Sequence, residues 1–153
     1  MTRSDRVSIY LNFPGTCEEA FAWYAEIFGS EVVGLMRMDQ VPPGEGEGQG
    51  DNPPLSEDEK QFVMHAEVTI LGGLVLMGTD MLTSRGHRME YGNNVTINLE
   101  PATLAETQRL FDALSDGGTR AFGLEKMFWD AYWGTCVDKF GVPWMFNWYE
   151  SGS

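Results

Sequence analysis

The feature that most constrains the fold of this chain is an internal repeat of one pattern. Residues 7–13 alternate apolar and polar side chains, and residues 16–29 hold a Thr-x-x-Glu sequence, an apolar stripe at helical spacing and a closing glycine. Residues 94–99 and 103–117 repeat both parts in the same order. Thr-x-x-Glu before an apolar stripe is typical of a capping box, and glycine commonly ends a helix. The chain is therefore predicted to contain two copies of one unit.

The segments after each helix complete the unit. They are short, rich in apolar and β-branched residues, and cover residues 31–38, 61–71, 74–78, 119–124, 131–137 and 143–149. The prediction is an α+β fold: one domain over residues 1–153, built of two βαβββ modules at about 5–80 and 93–150. The two sheets are expected to form a cup-shaped mixed sheet with both helices outside. The alternative is a filled sandwich, which would bury polar strand residues at a cost of about 1–3 kcal/mol for each group left without a partner.

Two stretches lack any periodicity. Residues 42–60 are rich in proline, glycine and acids, which predicts a loop that is either a functional lid or a disordered insert, with residues 44–58 expected to be mobile. Residues 79–93 form a second predicted loop, where His87 stands between two arginines and is expected to be solvated.

The chain ends in a predicted hairpin. Asp138 and Gly141 suit a tight turn, Pro143 can open a strand, and aromatic side chains then alternate over residues 144–149. This turn, with Phe128-Trp129 before it, resembles the end of a vicinal-oxygen-chelate module of the PhnB-like branch. That superfamily includes glyoxalase I, bleomycin-resistance proteins and extradiol dioxygenases, and the doubled unit extends the resemblance over nearly the whole chain.

The resemblance also implies where a metal would be held. Metal enzymes of this superfamily use an inward residue on the first strand of each copy and a carboxylate on a last strand. Here those places hold neutral or thioether side chains: Tyr10 or Asn12, Asn94, Thr96 or Asn98, Met77 and Met145. Such donors suit a hard divalent cation poorly, so no metal cofactor is expected.

Two residues of the third strand are the candidate catalytic groups. His65 and Glu67 lie two apart on one strand face, so they can act as an acid–base pair, or the histidine can simply be satisfied by a neighbouring strand. Trp129 and Trp133 can stack on a ligand or belong to an interface or the core. The full set of candidate ligand-binding residues is Tyr10, Asn12, Met77, Asn98, Trp129, Trp133, Met145 and Asn147.

Charge and composition limit the partners. The net charge of −13 disfavours nucleic acid and either attracts a cationic ligand or only keeps the surface solvated. No apolar run has the roughly 20 residues that cross a membrane. The first residues lack a secretory pattern, and the two cysteines have no C-x-x-C spacing, which favours a cytoplasmic protein.

The sequence leaves three functions open. The first is a small-molecule binding protein of bleomycin-resistance type, whose cup would favour a cationic or aromatic ligand. The alternative is a glyoxalase-type lyase, isomerase or transferase that uses His65 and Glu67 or an unusual metal site. The third is a dimeric scaffold with a filled cup.

The sequence lacks the glycine-rich turn of a Rossmann nucleotide site, so the demethylubiquinone methyltransferase label of some relatives finds no support. A two-fold homodimer is expected, with each cup formed within one chain or across two.

Overall fold

The computed structural model describes residues 3–42 and 53–150. The chain divides into two compact units, residues 1–90 and 91–153, and the modules predicted at about 5–80 and 93–150 lie one in each. Each unit contains one four-stranded mixed sheet and one long helix. The predicted α+β fold of two βαβββ modules is therefore confirmed.

The first unit forms a sheet with strand order β1-β4-β3-β2. Strand β1 is parallel to β4, while β3 is antiparallel to β4 and to β2. Short 3₁₀ turns cover residues 38–40, 71–73 and 83–85. The elements in chain order are β1 (Ile9–Phe13), α1 (Cys17–Phe28), β2 (Val32–Arg37), α2 (Glu57–Lys60), β3 (Val63–Thr69) and β4 (Val75–Asp80).

The second unit repeats this topology. Its sheet has the order β5-β8-β7-β6, again with the first strand parallel to the last and the other pairs antiparallel. Its elements are β5 (Ile97–Leu99), α3 (Leu104–Ser115), β6 (Thr119–Lys126), β7 (Ala131–Val137) and β8 (Pro143–Tyr149). Asp138 builds the predicted turn, because its Oδ1 accepts the backbone N–H groups of Phe140 at 2.8 Å and Val142 at 3.1 Å.

Each core lies between a helix and one face of its sheet. In the first unit, Phe21 of α1 packs edge-on against Phe13, with ring centroids 5.9 Å apart. Gly78 of β4 makes room for it, since a Cβ added there would lie 2.6 Å from the Phe21 ring. In the second unit, Phe111 of α3 packs edge-on against Phe146 at 5.3 Å. Burial of these aromatic rings contributes to docking each helix on its sheet.

Several sequence predictions need correction. Val7 and Val95 lie outside the strands and are exposed, so strands β1 and β5 are shorter than predicted. The predicted loop over residues 42–60 is wrong at its C-terminal end, where α2 forms. Ser56 caps this helix by accepting the Glu59 N–H at 3.2 Å, and Glu59 returns the bond to the Ser56 N–H at 3.1 Å. Residues 43–52 of the predicted loop lie outside the described residues.

The predicted capping boxes also differ from the structure. The Thr103 side chain accepts the Glu106 N–H at 3.1 Å as expected, but the Glu106 carboxylate forms an ion pair with Arg109. At α1 the prediction is wrong, because Thr16 makes no side-chain cap bond. Asp80 takes that place: its Oδ1 accepts the Cys17 N–H at 2.9 Å.

Candidate functional site

The first unit contains a cavity of about 640 Å³. Its lining comes from strands β1, β3 and β4 and from residues 38–42, 54–60 and 81–87. The lining residues are Tyr10, Asn12, Met38, Asp39, Val41, Pro42, Pro54, Leu55, Lys60, Met64, Thr79, Asp80, Met81, Leu82, Arg85 and His87. The volume lies in the range of small-molecule sites.

Strand alternation explains the floor of the cavity. Phe13 is buried on the helix side, so Tyr10 and Asn12 point to the opposite face of β1. In the parallel pairing with β4, Tyr10 is opposite Met77 and Asn12 is opposite Thr79. Tyr10 and Asn12 therefore line the cavity as candidate ligand-binding residues, and Thr79 joins them. Met77 is next to Tyr10 and accepts a hydrogen bond from the Ser8 hydroxyl at 3.6 Å.

His87, which the sequence predicts to be solvated, is half-buried and forms part of the cavity wall. The Leu82 backbone N–H donates to its Nδ1 at 3.1 Å, and the His87 N–H donates to the Leu82 carbonyl at 3.1 Å. Because Nδ1 acts as an acceptor, the neutral ring carries its proton on Nε2. His87 therefore offers a donor rather than an acceptor at its second nitrogen. No periodic pattern in residues 79–93 indicates this placement.

Asp80 fixes the position of the cavity floor. It is only 4% exposed and accepts three backbone N–H groups, those of Gly15 at 3.0 Å and Cys17 at 2.9 Å on Oδ1, and Val63 at 2.8 Å on Oδ2. Burial raises the pKa of the Asp80 carboxyl, and the three N–H donors act against that rise. One side chain thereby joins the start of α1, the start of β3 and the end of β4.

Glu59 joins two segments of the cavity wall. It is 4% exposed, and its Oε2 accepts the Ser84 N–H at 3.3 Å. Hydrogen bonds from Ser84, and then from Ser56, hold the pKa of Glu59 below its ordinary value despite burial. Helix α2 and the turn at residues 83–85 are thus held together beside the cavity.

The predicted catalytic pair comes together, although beside the cavity rather than in its lining. His65 Nε2 lies 3.1 Å from Glu67 Oε1, and each side chain is 28% exposed. The Tyr10 ring lies 6.1 Å from the His65 ring, centroid to centroid. The acid–base role of His65 and Glu67 stays a prediction.

The second unit brings together most of its candidate ligand-binding residues. Asn98 is paired with Met145, and the Asn147 amide donates to the Asn98 side-chain oxygen at 2.6 Å. Trp133 is opposite Asn147 and contacts the Phe122 ring at 5.3 Å. These side chains share the sheet face opposite the helix.

Trp129 stands apart from that group. It lies at the tip of the β6–β7 hairpin, 43% exposed, with its ring 4.8 Å from that of Phe128. No geometry in the hairpin itself joins Trp129 to the other candidates.

The residues at the superfamily's metal places do not fit a hard divalent ion. Among residues 3–42 and 53–150, no three His, Cys, Asp or Glu side chains come together closely enough to hold a metal. Met77 and Met145 offer only thioether sulfur, and the Asn98 oxygen already accepts a hydrogen bond from Asn147.

Both cysteines are buried and have free thiols. Burial raises the pKa of Cys136 to about 12, and it raises the pKa of Cys17 further. Neither thiol is therefore suited to act as a nucleophile near neutral pH. Within the described ranges, no helix has the length and apolar character needed to cross a membrane.

Comparison with known proteins supports the family resemblance. Residues 5–146 match the family described as 3-demethylubiquinone-9 3-methyltransferase. The crystal structure of protein PA1353 from Pseudomonas aeruginosa is 32% identical in sequence, covers 95% of this chain and 98% of its own, and superimposes with a TM-score of 0.76. The PhnB protein from Bacillus cereus, at 24% identity, covers 94% and 99% with a TM-score of 0.72.

The wider fold is shared with more distant proteins. A glyoxylase/bleomycin resistance protein/dioxygenase domain from Frankia is 12% identical, covers 98% of this chain and 99% of its own, and has a TM-score of 0.57. At that identity the likeness concerns the fold alone.

Proposed function

This chain belongs to the 3-demethylubiquinone-9 3-methyltransferase family, the PhnB-like branch of the vicinal-oxygen-chelate superfamily, and we propose that it is a small-molecule binding protein of glyoxalase/bleomycin-resistance type. The proposed site is the cavity of the first unit. The predicted cup between the two sheets, the homodimer and a cytoplasmic location remain parts of this proposal.

The observation that carries the proposal is the cavity itself. Its volume of about 640 Å³ suits a small organic molecule, and most of its wall is apolar. A few polar groups stand among the apolar ones, with Tyr10 and Asn12 on the floor and His87 on the wall. Such a mixture of apolar walls and a few fixed polar groups is typical of sites that recognise one class of ligand.

A glyoxalase-type enzyme is the second candidate function. The observation that favours it is the 3.1 Å contact between His65 and Glu67, on the same sheet face as Tyr10. A carboxylate next to an imidazole can orient the ring, as a general acid or base requires. Because both residues lie beside the cavity and not in its lining, the enzyme function ranks second to simple binding.

Methyl transfer is not proposed from the family's description. Both described sheets are four-stranded and mixed, whereas a Rossmann nucleotide site uses a parallel, doubly wound sheet with a glycine-rich first turn. The residues around the cavity offer no comparable turn in the described ranges.

A binding titration with a neutral aromatic probe, 2-naphthamide, tests the proposal. We expect saturable binding with one site per chain by calorimetry, and its loss in Thr79→Phe, which fills the cavity floor. Thr69→Phe, an exposed change on β3, is the matched control and should bind like the wild type. Absence of saturable binding, or equal binding by Thr79→Phe, would refute the cavity as the site.

The enzyme alternative has its own assay. The hemithioacetal of methylglyoxal and glutathione would be consumed by the wild type, with or without added divalent metal, and not by His65→Ala or Glu67→Gln. No turnover by the wild type under any metal condition removes this alternative while leaving the binding proposal intact.

A further inference from the structure

We propose that the cavity of the first unit binds a small apolar molecule carrying one oxyanion group, such as a carboxylate, with that group against Lys60, Arg85 and His87. This inference rests on the proposed function and deepens it by naming the class of ligand.

The three side chains come from two segments that are in contact. Lys60 ends α2, and Arg85 and His87 lie in residues 81–87. Glu59, next to Lys60 in the chain, accepts the backbone N–H of Ser84, next to Arg85, at 3.3 Å. This bond brings the two segments together, and all three side chains line the same cavity.

All three side chains carry hydrogen-bond donors and line the cavity. An ammonium and a guanidinium have donors and no acceptors, and the guanidinium matches a carboxylate in shape. His87 adds a third donor, since the Leu82 N–H occupies its Nδ1 and leaves the proton on Nε2. A ligand group with several acceptor lone pairs satisfies such a cluster, and an oxyanion has them.

The acidic groups of the wall are already engaged by protein donors. Asp80 accepts three backbone N–H groups, and Asp39 Oδ2 accepts from the Gln61 amide at 3.4 Å. Lys60 pairs with Glu57 at 2.7 Å, but the Glu57 side chain is 89% exposed. An exposed ion pair of this kind contributes little to stability, so Lys60 can turn to a ligand at little cost.

The rest of the wall predicts an apolar body for the ligand. Met38, Met64 and Met81 line the cavity together with the Tyr10 ring. Thioether side chains are flexible and polarizable, and they pack well against irregular or aromatic shapes. The acceptor group of the ligand is thus expected at one end and its apolar body over the sheet.

The net charge of −13 does not decide the ligand's charge. Fields from distant surface charges are screened beyond about 8 Å at physiological ionic strength, whereas the donors of the cavity would touch the ligand. The cationic ligand expected from overall composition is therefore replaced by an anionic one in this proposal.

Three probes of one shape and different charge test the inference: 2-naphthoate, 2-naphthamide and 2-naphthylmethylammonium. With the wild-type protein at 150 mM salt, we expect 2-naphthoate to bind ~10-fold more tightly than the amide, as one or two charge-assisted hydrogen bonds would give. The ammonium probe should bind most weakly. If the amide binds and 2-naphthoate does not bind more tightly, the ligand class is wrong and the binding function stands. If none of the three binds, the proposed function itself fails.

Charge-removing variants locate the oxyanion. Arg85→Gln and Lys60→Gln should each weaken 2-naphthoate ~3- to 10-fold and leave 2-naphthamide unchanged. Arg88→Gln removes the same charge from an exposed residue outside the cavity lining and should leave all three affinities unchanged. Thermal unfolding of each variant checks that it is folded. If Arg85→Gln does not fold, Lys60→Gln still tests the proposal. An equal loss in Arg88→Gln would show a general charge effect and overturn the proposal.

Discussion

Asp80 shows how one residue can replace a local helix cap. The start of α1 relies on this buried carboxylate, whereas the start of α3 relies on Thr103 beside it. Removal of Asp80 would leave three backbone N–H groups without their acceptor. An unsatisfied buried donor costs about 1–3 kcal/mol, so Asp80 is worth more to the fold than either threonine.

The first prediction compares these three positions. Asp80→Ala should lower the free energy of unfolding by ~3 kcal/mol or more. Thr103→Ala should lower it by ~1 kcal/mol, the usual value of an N-cap, and Thr16→Ala by less than ~0.5 kcal/mol because it makes no cap bond. Urea unfolding followed by circular dichroism measures all three. A larger loss for Thr16→Ala than for Thr103→Ala would contradict the assignment of the caps.

The sequence could predict the helix at this place but not its cap. Thr-x-x-Glu is a local signal, and it correctly indicated a helix start near residue 16. Asp80 is 63 residues from Cys17 in the chain, and only the folded sheet brings the two together. A local pattern carries no information about a partner supplied by tertiary structure.

At the scale of elements, α1 and β4 pack closely at Gly78. Gly78→Ala would place a methyl group 2.6 Å from the Phe21 ring and 3.1 Å from the Cys17 sulfur. Overpacking of this kind costs about 1–3 kcal/mol, which we expect as a loss in unfolding free energy. Gly123→Ala on β6 is the matched control, since nothing lies within 4 Å of its added Cβ. A neutral result for Gly78→Ala would mean that the helix can shift on the sheet.

The contact between α2 and the turn at residues 83–85 predicts a pH dependence. Hydrogen bonds, first from Ser84, hold the pKa of Glu59 below its ordinary value of 4.5. Its contribution to stability is therefore complete above pH 4.5 and is lost as pH falls through 4.5 toward the pKa of the folded state. Glu59→Gln should reduce the fall in unfolding free energy over this acid range.

Glu57→Gln serves as the control for that experiment. It removes a carboxylate from the same helix, but from a side chain that is 89% exposed. It should keep the part of the acid dependence that comes from Glu59. Urea midpoints measured between pH 3 and 6 separate the two variants, and identical pH profiles for both would rule out the role given to Glu59.

Helix α2 has a capping pattern in its sequence that is easily missed when the segment is judged by its composition alone. Residues 42–60 read as a loop because prolines, glycines and acids dominate them. Ser56 and Glu59 nevertheless form the same Ser/Thr-x-x-Glu pattern that identified the long helices, over a helix of four residues. The pattern was present in the sequence, but no apolar stripe followed it.

At the scale of the whole molecule, the sequence predicted the periodic segments but only part of the candidate site. Alternation on the strands indicated Tyr10 and Asn12 as ligand-binding residues, and both line the cavity. Lys60, Arg85 and His87 lie at the end of a short helix and in a loop, where no period fixes the direction of a side chain. Their convergence depends on the buried Glu59, which sequence spacing cannot reveal.

The remaining prediction is a two-fold homodimer, with the first module of each chain facing the second module of the other. Within its own unit each sheet has one face covered by its helix, and the opposite face carries exposed apolar side chains, among them Val33 and Phe122. Soluble proteins seldom leave such faces to water, and identical chains can cover them by symmetric pairing. Light scattering should therefore give twice the chain mass of 17.1 kDa.

The variant Val33→Glu with Phe122→Glu should shift the protein toward the mass of one chain, because burying a carboxylate in an interface is costly. Val7→Glu, at a residue that is 83% exposed and outside the strands, is the control and should remain dimeric. Each chain carries a net charge of −13, so salt should tighten the dimer by screening the repulsion between the two chains. At high salt the repulsion between the two chains is screened, so it can no longer keep them apart. A wild-type mass of 17.1 kDa at micromolar concentration under these conditions would therefore refute the homodimer.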